Sequence, residues 1–576
     1  MARMTDRLPP VEERRRRLEE TWRPRWRPRT IDQVFAAAAD LYPERPLVIT
    51  DERTYTYADI RHWSTKIGRG LIASGIKPGD HVAMDMANFP EFIALKFGIA
   101  RAGAVAVPVN YLLRRDEVGY VLEQSDAKVF VTMNRFRGMD YLEALDELVP
   151  GWEHHGGGER FPELREVFVF STDGDHRPGA PTLDDLVGRG GTGGEALSSP
   201  ADPSSPADIV YTSGTTGKPK GVLVTHDSLV RIAYASAYTR AFQDGRRILF
   251  SLPLYHVFGY VEGLLCALYA GGAVAPQATF DPLATLQGIE RHRINEVLLV
   301  PTMTLAVLDV ARQKTFDLSS LSVVFSSGGQ SPRSVWQEVR DLLGAEEIFT
   351  AYGMTETTAS TTCMQPDDPI ERLMTGQGRL KPAGVAGEPD LGGVLATYKV
   401  VDLVTGAELP PGADGELLCR GPAVTAGYYK KPEETAAAFT PDGWLRTGDI
   451  GHIDADGYLS LTGRKKESYR CGGELVMPKE IEEVLLSHPG VVQAHVVPVP
   501  HRRMGEVGAA FIVFEEGLVS DPDAIIAYCR DRLARFKVPA HIFPIADVEL
   551  PTSASGKIQK FLLTERATKL LEAGAP

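Results

Sequence analysis

The sequence predicts an α/β protein with two parts: a large N-terminal domain of doubly wound βαβ subdomains and a small α+β C-terminal domain. Two observations predict it. Helix-like and strand-like stretches alternate from about Ile31 to Met133, which implies a parallel sheet. A fresh helix, strand and helix pattern then begins after Lys466 and fills about 110 residues, enough for a self-contained unit.

The elements follow in order. Tyr57–Ser74 has helical periodicity, and His81–Met86 is a short apolar strand stopped by Asn88 and Pro90. Phe89–Ala102 is helical, Ala104–Val109 is a strand ended by Asn110, Glu117–Gln124 is helical and Ala127–Thr132 is a strand. His154–Glu159 and Gly188–Ala207 read as surface insertions, the second because its Gly, Ser and Pro content cannot build a core. A strand, Asp208–Tyr211, follows it. Near the end, Pro478 starts a helix whose apolar face is Ile481, Val484 and Leu485. Strands Val491–Val499 and Gly508–Glu515, a helix over Asp521–Phe536 and a last helix from about Ile558 complete the chain. The expected boundaries are therefore 1–30 for an Arg-rich extension, 31–465 for the large domain and 466–576 for the small one.

Composition narrows the function. Hydrophobic residues are 43% and charged residues 24%, which suits a large globular enzyme. Lys+Arg is 62 against Asp+Glu 76, a net charge of −14, which argues against a nucleic-acid binder. Local binding of a polyphosphate needs only a few lysines and backbone donors. The five cysteines, Cys266, Cys363, Cys419, Cys471 and Cys529, are dozens of residues apart, so they read as reduced thiols of a cytoplasmic protein. The longest uncharged apolar run, Gly263–Ala275, is too short to span a membrane. Ten arginines fall in the first thirty residues, with no apolar stretch of a signal peptide. Trp22–Arg29 (WRPRWRPR) reads as extended: a solvated or subunit-packing arm, or one that touches RNA or membrane.

The sharpest motif is Tyr211-Thr-Ser-Gly-Thr-Thr-Gly-Lys-Pro-Lys-Gly221. Its glycines let backbone N–H groups approach an anion, and its hydroxyls and lysines add donors and charge. The GxxxxGK(S/T) spacing of a Walker loop is absent. As composition alone the string also fits a flexible loop.

The whole string resembles the phosphate loop of the adenylate-forming superfamily: acyl-CoA synthetases, adenylation domains of peptide synthetases and luciferases. Four further motifs agree in the same order. They are Tyr352-Gly-Met-Thr-Glu356, Gly443-Trp-Leu-Arg-Thr-Gly-Asp449, Gly463-Arg-Lys-Lys466 and Leu550-Pro-Thr-Ser-Ala-Ser-Gly-Lys557. The resemblance runs from about Ile31 to Leu563 and implies a free-standing, ATP- and Mg²⁺-dependent acid–thiol ligase. It also implies a barrel-like part in the large domain and a mobile small domain.

The resemblance assigns roles. Thr212, Ser213, Gly214, Thr215, Thr216, Gly217 and Lys220 would grip the β- and γ-phosphates of ATP, with Thr216 and Lys220 acting on the transition state. Glu356 would hold Mg²⁺, in the company of Tyr352, Gly353 and Thr355 at the nucleotide. Asp449 would accept the ribose hydroxyls, and Arg464 would contact the same ribose. Lys557 would bridge the substrate carboxylate and the α-phosphate. His256, in Leu252-Pro-Leu-Tyr-His256, would line the acyl pocket with Ser327 and Gly328. Adenine would pack on Gly329 and Gln330, where Gln330 replaces the usual Ala and Ser331 the usual Pro. Lys466 would be the hinge, and Gly472 and Gly473 would let the pantetheine arm of CoA pass. No Asp stands near His256 to pair an α-ammonium, so the acid reads as apolar. No condensation or carrier-protein segment is read beside these motifs, which favours CoA as acceptor. Loading of a carrier-protein phosphopantetheine, or thioester formation alone from a supplied acyl-adenylate, are the alternatives.

Overall fold

Two mostly parallel sheets dominate the first of two units into which the chain divides. The computed structural model describes residues 8–191, 197, 202–212, 219–328, 333–472, 474–515, 521–552 and 558–573. The first unit is Met1–Thr397 with Arg420–Gly443, and the second is Tyr398–Cys419 with Trp444–Pro576.

One sheet of the first unit has six strands in the order Lys220–Thr225, Pro206–Thr212, Val105–Pro108, His81–Asp85, Ala127–Met133 and Glu166–Phe170. All pair in parallel except the first two. The alternation read from sequence predicts this arrangement. Helix Tyr57–Ala73 starts where Thr56 and Asp59 form a reciprocal cap, and helix Pro90–Arg101 starts on its proline. These two helices pack so closely that a Cβ on Gly98 would lie 2.6 Å from Ile67 Cγ2.

The other sheet has seven strands: Glu347–Phe349, Val323–Ser326, Glu296–Leu299, Arg247–Phe250, Ala273–Pro276, Pro46–Ile49 and Thr54–Thr56. Only the last pair is antiparallel. At the N-terminal ends of its strands lies a buried ionic network. Arg246 Nη1 donates to Glu296 Oε2 (2.9 Å), and Arg240 pairs with Glu296 and donates to the Glu262 carbonyl (2.7 Å). Lys381 Nζ donates to Glu262 Oε1 (2.8 Å). Arg240, Arg246 and Glu296 are wholly buried, so each charge needs its partner. The segments that carry His256 and Ser327 follow the C-terminal ends of two of these strands.

The rest of the unit includes an antiparallel sheet of Ala351–Gly353, Ser360–Cys363 and Arg379–Leu380. The second unit holds two sheets. One is Thr397–Val401, Gly415–Arg420, Leu445–Ile453 and Leu459–Arg464; the other is built on the long pair Val491–His501 and Gly505–Phe514. Helices Pro478–Leu486, Pro522–Arg530 and Lys560–Ala573 accompany the second sheet. The helix expected over Asp521–Phe536 thus stops at Arg530. Its end is tied off by Leu533 N–H on the Cys529 carbonyl (2.8 Å), and a turn closes at Lys537.

The N-terminal arm differs from its reading. Val11–Trp22 is a helix, followed by a 3-10 turn at Arg23–Arg25, not an extended strap. The arginines are neutralised along the helix, with Arg17 on Glu13 (2.6 Å) and Arg16 on Glu20 (2.5 Å). Arg14 is buried on Glu347, and Trp22 is buried with its indole N–H on the Tyr269 carbonyl (2.7 Å). The arm is therefore part of the first unit's core. The His154–Glu159 stretch is also only half a surface insertion. His154 and His155 are exposed, whereas Gly156 and Gly157 are buried. The second insertion is shorter than its reading: Gly188 and Arg189 end the helix Leu183–Arg189, Pro206 and buried Ala207 begin the strand Pro206–Thr212, and residues 192–196 and 198–201 between them lie outside the described residues. Among the described residues, no helix is long and apolar enough to cross a membrane.

Candidate active site

The phosphate-loop string is held by its own hairpin. Strands Pro206–Thr212 and Lys220–Thr225 are antiparallel, with Thr212 directly opposite Lys220. The two ends of the string therefore meet. Ser213, Gly214, Thr215, Thr216 and Gly217 lie outside the described residues, as do Gly329, Gln330, Gly473 and Lys557. Helix Arg115–Ser125 braces the hairpin: Tyr120 OH donates to the Pro219 carbonyl (3.1 Å) and Tyr211 OH to Gln124.

The second strand is bound on its other edge by residues 425–429. Leu223 N–H donates to the Gly427 carbonyl (3.0 Å) and Tyr429 N–H to the Gly221 carbonyl (2.8 Å). This edge places Tyr428, which the sequence reading missed, between two residues it named. Lys220 Nζ lies 4.9 Å from the centre of the Tyr428 ring. The Tyr428 hydroxyl donates to Glu356 Oε1 (3.0 Å). Burial first, then the Glu356 carboxylate, push that hydroxyl above the ordinary phenol range, so it stays protonated and donates. The available signal was the run Gly427-Tyr-Tyr-Lys-Lys-Pro432, whose aromatic pair follows a glycine after a strand.

Glu356 is fixed from its own backbone. Its carbonyl accepts from Thr425 N–H (2.8 Å), and its residue is 8% exposed. Tyr352 and Gly353 sit on the strand Ala351–Gly353, where a Cβ on Gly353 would lie 1.9 Å from the Ala359 carbonyl oxygen. Only glycine fits there. Thr355 is buried, and Thr355–Thr357 forms a single 3-10 turn. Thr358, which ends it, has φ of 67°, an uncommon value for a β-branched residue. Its hydroxyl on the Ala423 carbonyl (2.8 Å) helps hold that strained turn.

The residues expected at the acyl group follow neighbouring strands. Strands Arg247–Phe250, Glu296–Leu299 and Val323–Ser326 are parallel neighbours, so the segments that leave their C-terminal ends share one crevice. His256 leaves the first; Ser327 and Gly328 leave the third. Asn88 clamps the His256 segment, donating to the Leu252 carbonyl (2.9 Å) and accepting from Leu254 N–H (2.8 Å). Ser327 Oγ donates to the Ala351 carbonyl (2.7 Å), which joins this crevice to the Tyr352 strand. Phe258 packs edge to face on the wholly buried Phe325, with ring centres 5.2 Å apart.

The second unit holds the remaining described residues. Asp449 and Arg464 are opposite each other on an antiparallel pair, and Arg464 Nε donates to Asp449 Oδ1 (2.9 Å). Lys466 lies in the turn between strands Leu459–Arg464 and Tyr469–Cys471. Gly472 has φ of 62°, and its N–H donates to the Met504 carbonyl (2.8 Å). Burial pushes the neighbouring Cys471 thiol up, which suits a packed side chain and not a nucleophile.

Among the described residues there is no group of three His, Cys, Asp or Glu side chains able to hold a metal. Mg²⁺ bound to a nucleotide takes one or two carboxylates and completes its shell with phosphates and water. Glu356, linked to Lys220 through Tyr428, could supply such a carboxylate.

The chain is similar to known proteins over nearly its whole length. The family model described as AMP-binding enzyme matches residues 35–429, and that described as AMP-binding enzyme C-terminal domain matches residues 480–557. The medium-chain acyl-CoA ligase ACSF2, mitochondrial, of Danio rerio is 34% identical over 94% of this chain and 89% of its own. The 3-[(3aS,4S,7aS)-7a-methyl-1,5-dioxo-octahydro-1H-inden-4-yl]propanoyl:CoA ligase of Mycobacterium tuberculosis is 35% identical over 93% of this chain and 99% of its own. ATP-bound MatB from Rhodopseudomonas palustris superposes with a TM-score of 0.81 at 26% identity, over 94% of this chain and all of that one.

Proposed function

The chain belongs to the AMP-binding enzyme family and is an AMP-forming acyl-CoA ligase, and we propose that it runs both half-reactions on an apolar acid. Its substrates are a carboxylic acid, ATP and CoA. In the first step the carboxylate oxygen attacks the α-phosphorus and pyrophosphate leaves. In the second the CoA sulfur attacks the acyl carbonyl, its proton goes to solvent and AMP leaves. Both reactants of the first step are anions, so the site must spread and neutralise charge.

The observation that carries the reading is the run Lys220, Tyr428, Glu356 beside the hairpin. Lys220 supplies a cation at the phosphates, and the Tyr428 hydroxyl orients the Glu356 carboxylate. Glu356 would hold Mg²⁺, which when bound neutralises phosphate charge. Asp449 and Arg464 would take the ribose, and Lys557 the carboxylate and α-phosphate. Phe258, two positions after His256, and the fused-ring acid in the mycobacterial relative's name support an apolar acid. The five buried cysteines, none in a disulfide, support a cytoplasmic location. We set aside carrier-protein loading because the named relatives are acyl-CoA ligases. The test is a panel of fatty, aryl and terpenoid acids with ATP and CoA, read by mass spectrometry. An acyl-CoA product from an apolar acid is expected; turnover of charged short acids alone would overturn that choice.

Tyr428→Phe tests the constellation. Loss of a hydrogen bond to a charged group costs about 1.5 kcal/mol, or about tenfold in kcat/KM for ATP. The expected readout is that loss in acid-dependent pyrophosphate release, with an unchanged thermal midpoint.

We infer a boundary near Lys466, with residues 466–576 as the domain that moves between the two steps. Lys466→Pro would fix φ at about −65° and remove an N–H. It is expected to slow thioester formation more than pyrophosphate release; wild-type rates for both would place the hinge elsewhere.

A further inference from the structure

Asp85 has no part in the chemistry above, yet it is the most unusual buried acid in the first unit. It ends the strand His81–Asp85, which lies inside the six-stranded sheet with parallel neighbours on both sides. Its Cα partner on the next strand is Thr132. The residue is 1% exposed, and its Oδ1 has no hydrogen-bond partner among the described residues. An unsatisfied buried carboxyl carries a desolvation cost and calls for an explanation.

A cavity of about 530 Å³ supplies one. Asp85 and Thr132 line it at the C-terminal ends of the parallel strands, where open α/β sheets bind ligands. Val118, Phe130, Leu145 and Leu148 give it apolar walls. Its lining also carries Asp116, Glu117, Glu143 and Glu147 against Arg114 and Arg115. Arg115 is already paired with Asp116 (2.9 Å) and with Glu147, so the balance of charge at the cavity is negative.

We propose that this cavity, whose lining includes none of the site residues named above, is a second small-molecule site for an organic cation whose ammonium group pairs with Asp85. The apolar walls take its aliphatic body, and the acidic lining takes a second cationic end. A metal ion fits less well, because no cluster of three metal-ligating side chains occurs among the described residues.

The pH dependence follows from the same geometry. Burial pushes the Asp85 carboxyl up to about 8. The ionisable groups that act with it are Tyr141 from the helix Tyr141–Leu148 and Tyr255 beside His256, on which Tyr111 packs; Arg114, Glu117 and Asp140 share its cavity. Burial raises the three tyrosine hydroxyls, so they stay neutral. An alkylammonium remains charged to about pH 10. Binding below pH 8 must therefore displace the Asp85 proton, and affinity rises with pH through that value.

The experiment is isothermal titration of the full-length protein with 1,6-diaminohexane, hexylamine, hexan-1-ol and MgCl₂ at pH 7 and pH 9. One diamine per chain is expected, binding about tenfold tighter at pH 9 than at pH 7 and releasing a proton at pH 7. Asp85→Asn should abolish it. Ala144→Phe, which fills the cavity from a half-buried helix position and leaves Asp85 intact, should abolish it too. Equal binding of hexan-1-ol, saturation by MgCl₂ alone, affinity that falls with pH, or unchanged binding in both variants would overturn the assignment.

Discussion

Glu356→Gln is expected to lower acid-dependent pyrophosphate release by about 10²–10³-fold, or about 3–4 kcal/mol of transition-state stabilisation. The magnitude follows from the setting. Glu356 is nearly buried, its carbonyl is tied to Thr425 and its carboxylate accepts from Tyr428, so its position is fixed before substrate arrives. A preorganised charge of this kind acts at full strength in a water-poor site. Gln keeps the volume and still accepts the Tyr428 hydrogen bond, so the fold and the thermal midpoint should hold. What it removes is the negative charge that would bind Mg²⁺. Raising Mg²⁺ should recover part of the deficit by mass action, and thioester formation from supplied acyl-adenylate should fall far less. A loss no larger than the tenfold of Tyr428→Phe would show that Glu356 only anchors the tyrosine.

The family was legible because its motifs are local. The phosphate-loop string, Tyr352-Gly-Met-Thr-Glu356 and the Thr-Gly-Asp449 segment each concentrate glycines and polar groups in a few consecutive residues. The strands and helices before Met133 were legible for a similar reason: their periodicity repeats over short windows. What escaped the reading depends on pairs far apart in the chain. Tyr428 reaches Glu356 across 72 positions, and Asn88 clamps Leu252 across 164. Arg240, Arg246, Glu262, Glu296 and Lys381 look like surface charges in sequence, and only the fold buries them together. The arginine-rich arm was misread on composition. Its glutamates stand at helical spacing from the arginines, so charge that suggests solvent or polyanion is spent inside a helix docked through Arg14 and Trp22.

Lys557→Ala is expected to reduce acyl-adenylate formation about a hundredfold, or about 3 kcal/mol, and to spare the second half-reaction. The argument is chemical. In the first step two anions approach, and a compact ammonium that bridges them offsets repulsion that grows as the new bond forms. In the second step the nucleophile is a thiol and the electrophile an acyl-adenylate, so the same charge has little to do. The Leu550–Lys557 motif is the basis for the assignment. Two assays separate the steps: pyrophosphate release with acid and ATP, and thioester formation from synthetic acyl-adenylate and CoA. Lys557→Ala should fail the first and pass the second. Lys466→Pro should show the reverse bias, because a stiffened hinge hinders the change of state between steps and not the first encounter. The opposed pattern is the strongest evidence the pair can provide. Equal loss of both activities in Lys557→Ala would mean that the lysine serves binding common to the two steps, and the division of labour along the C-terminal domain would have to be abandoned.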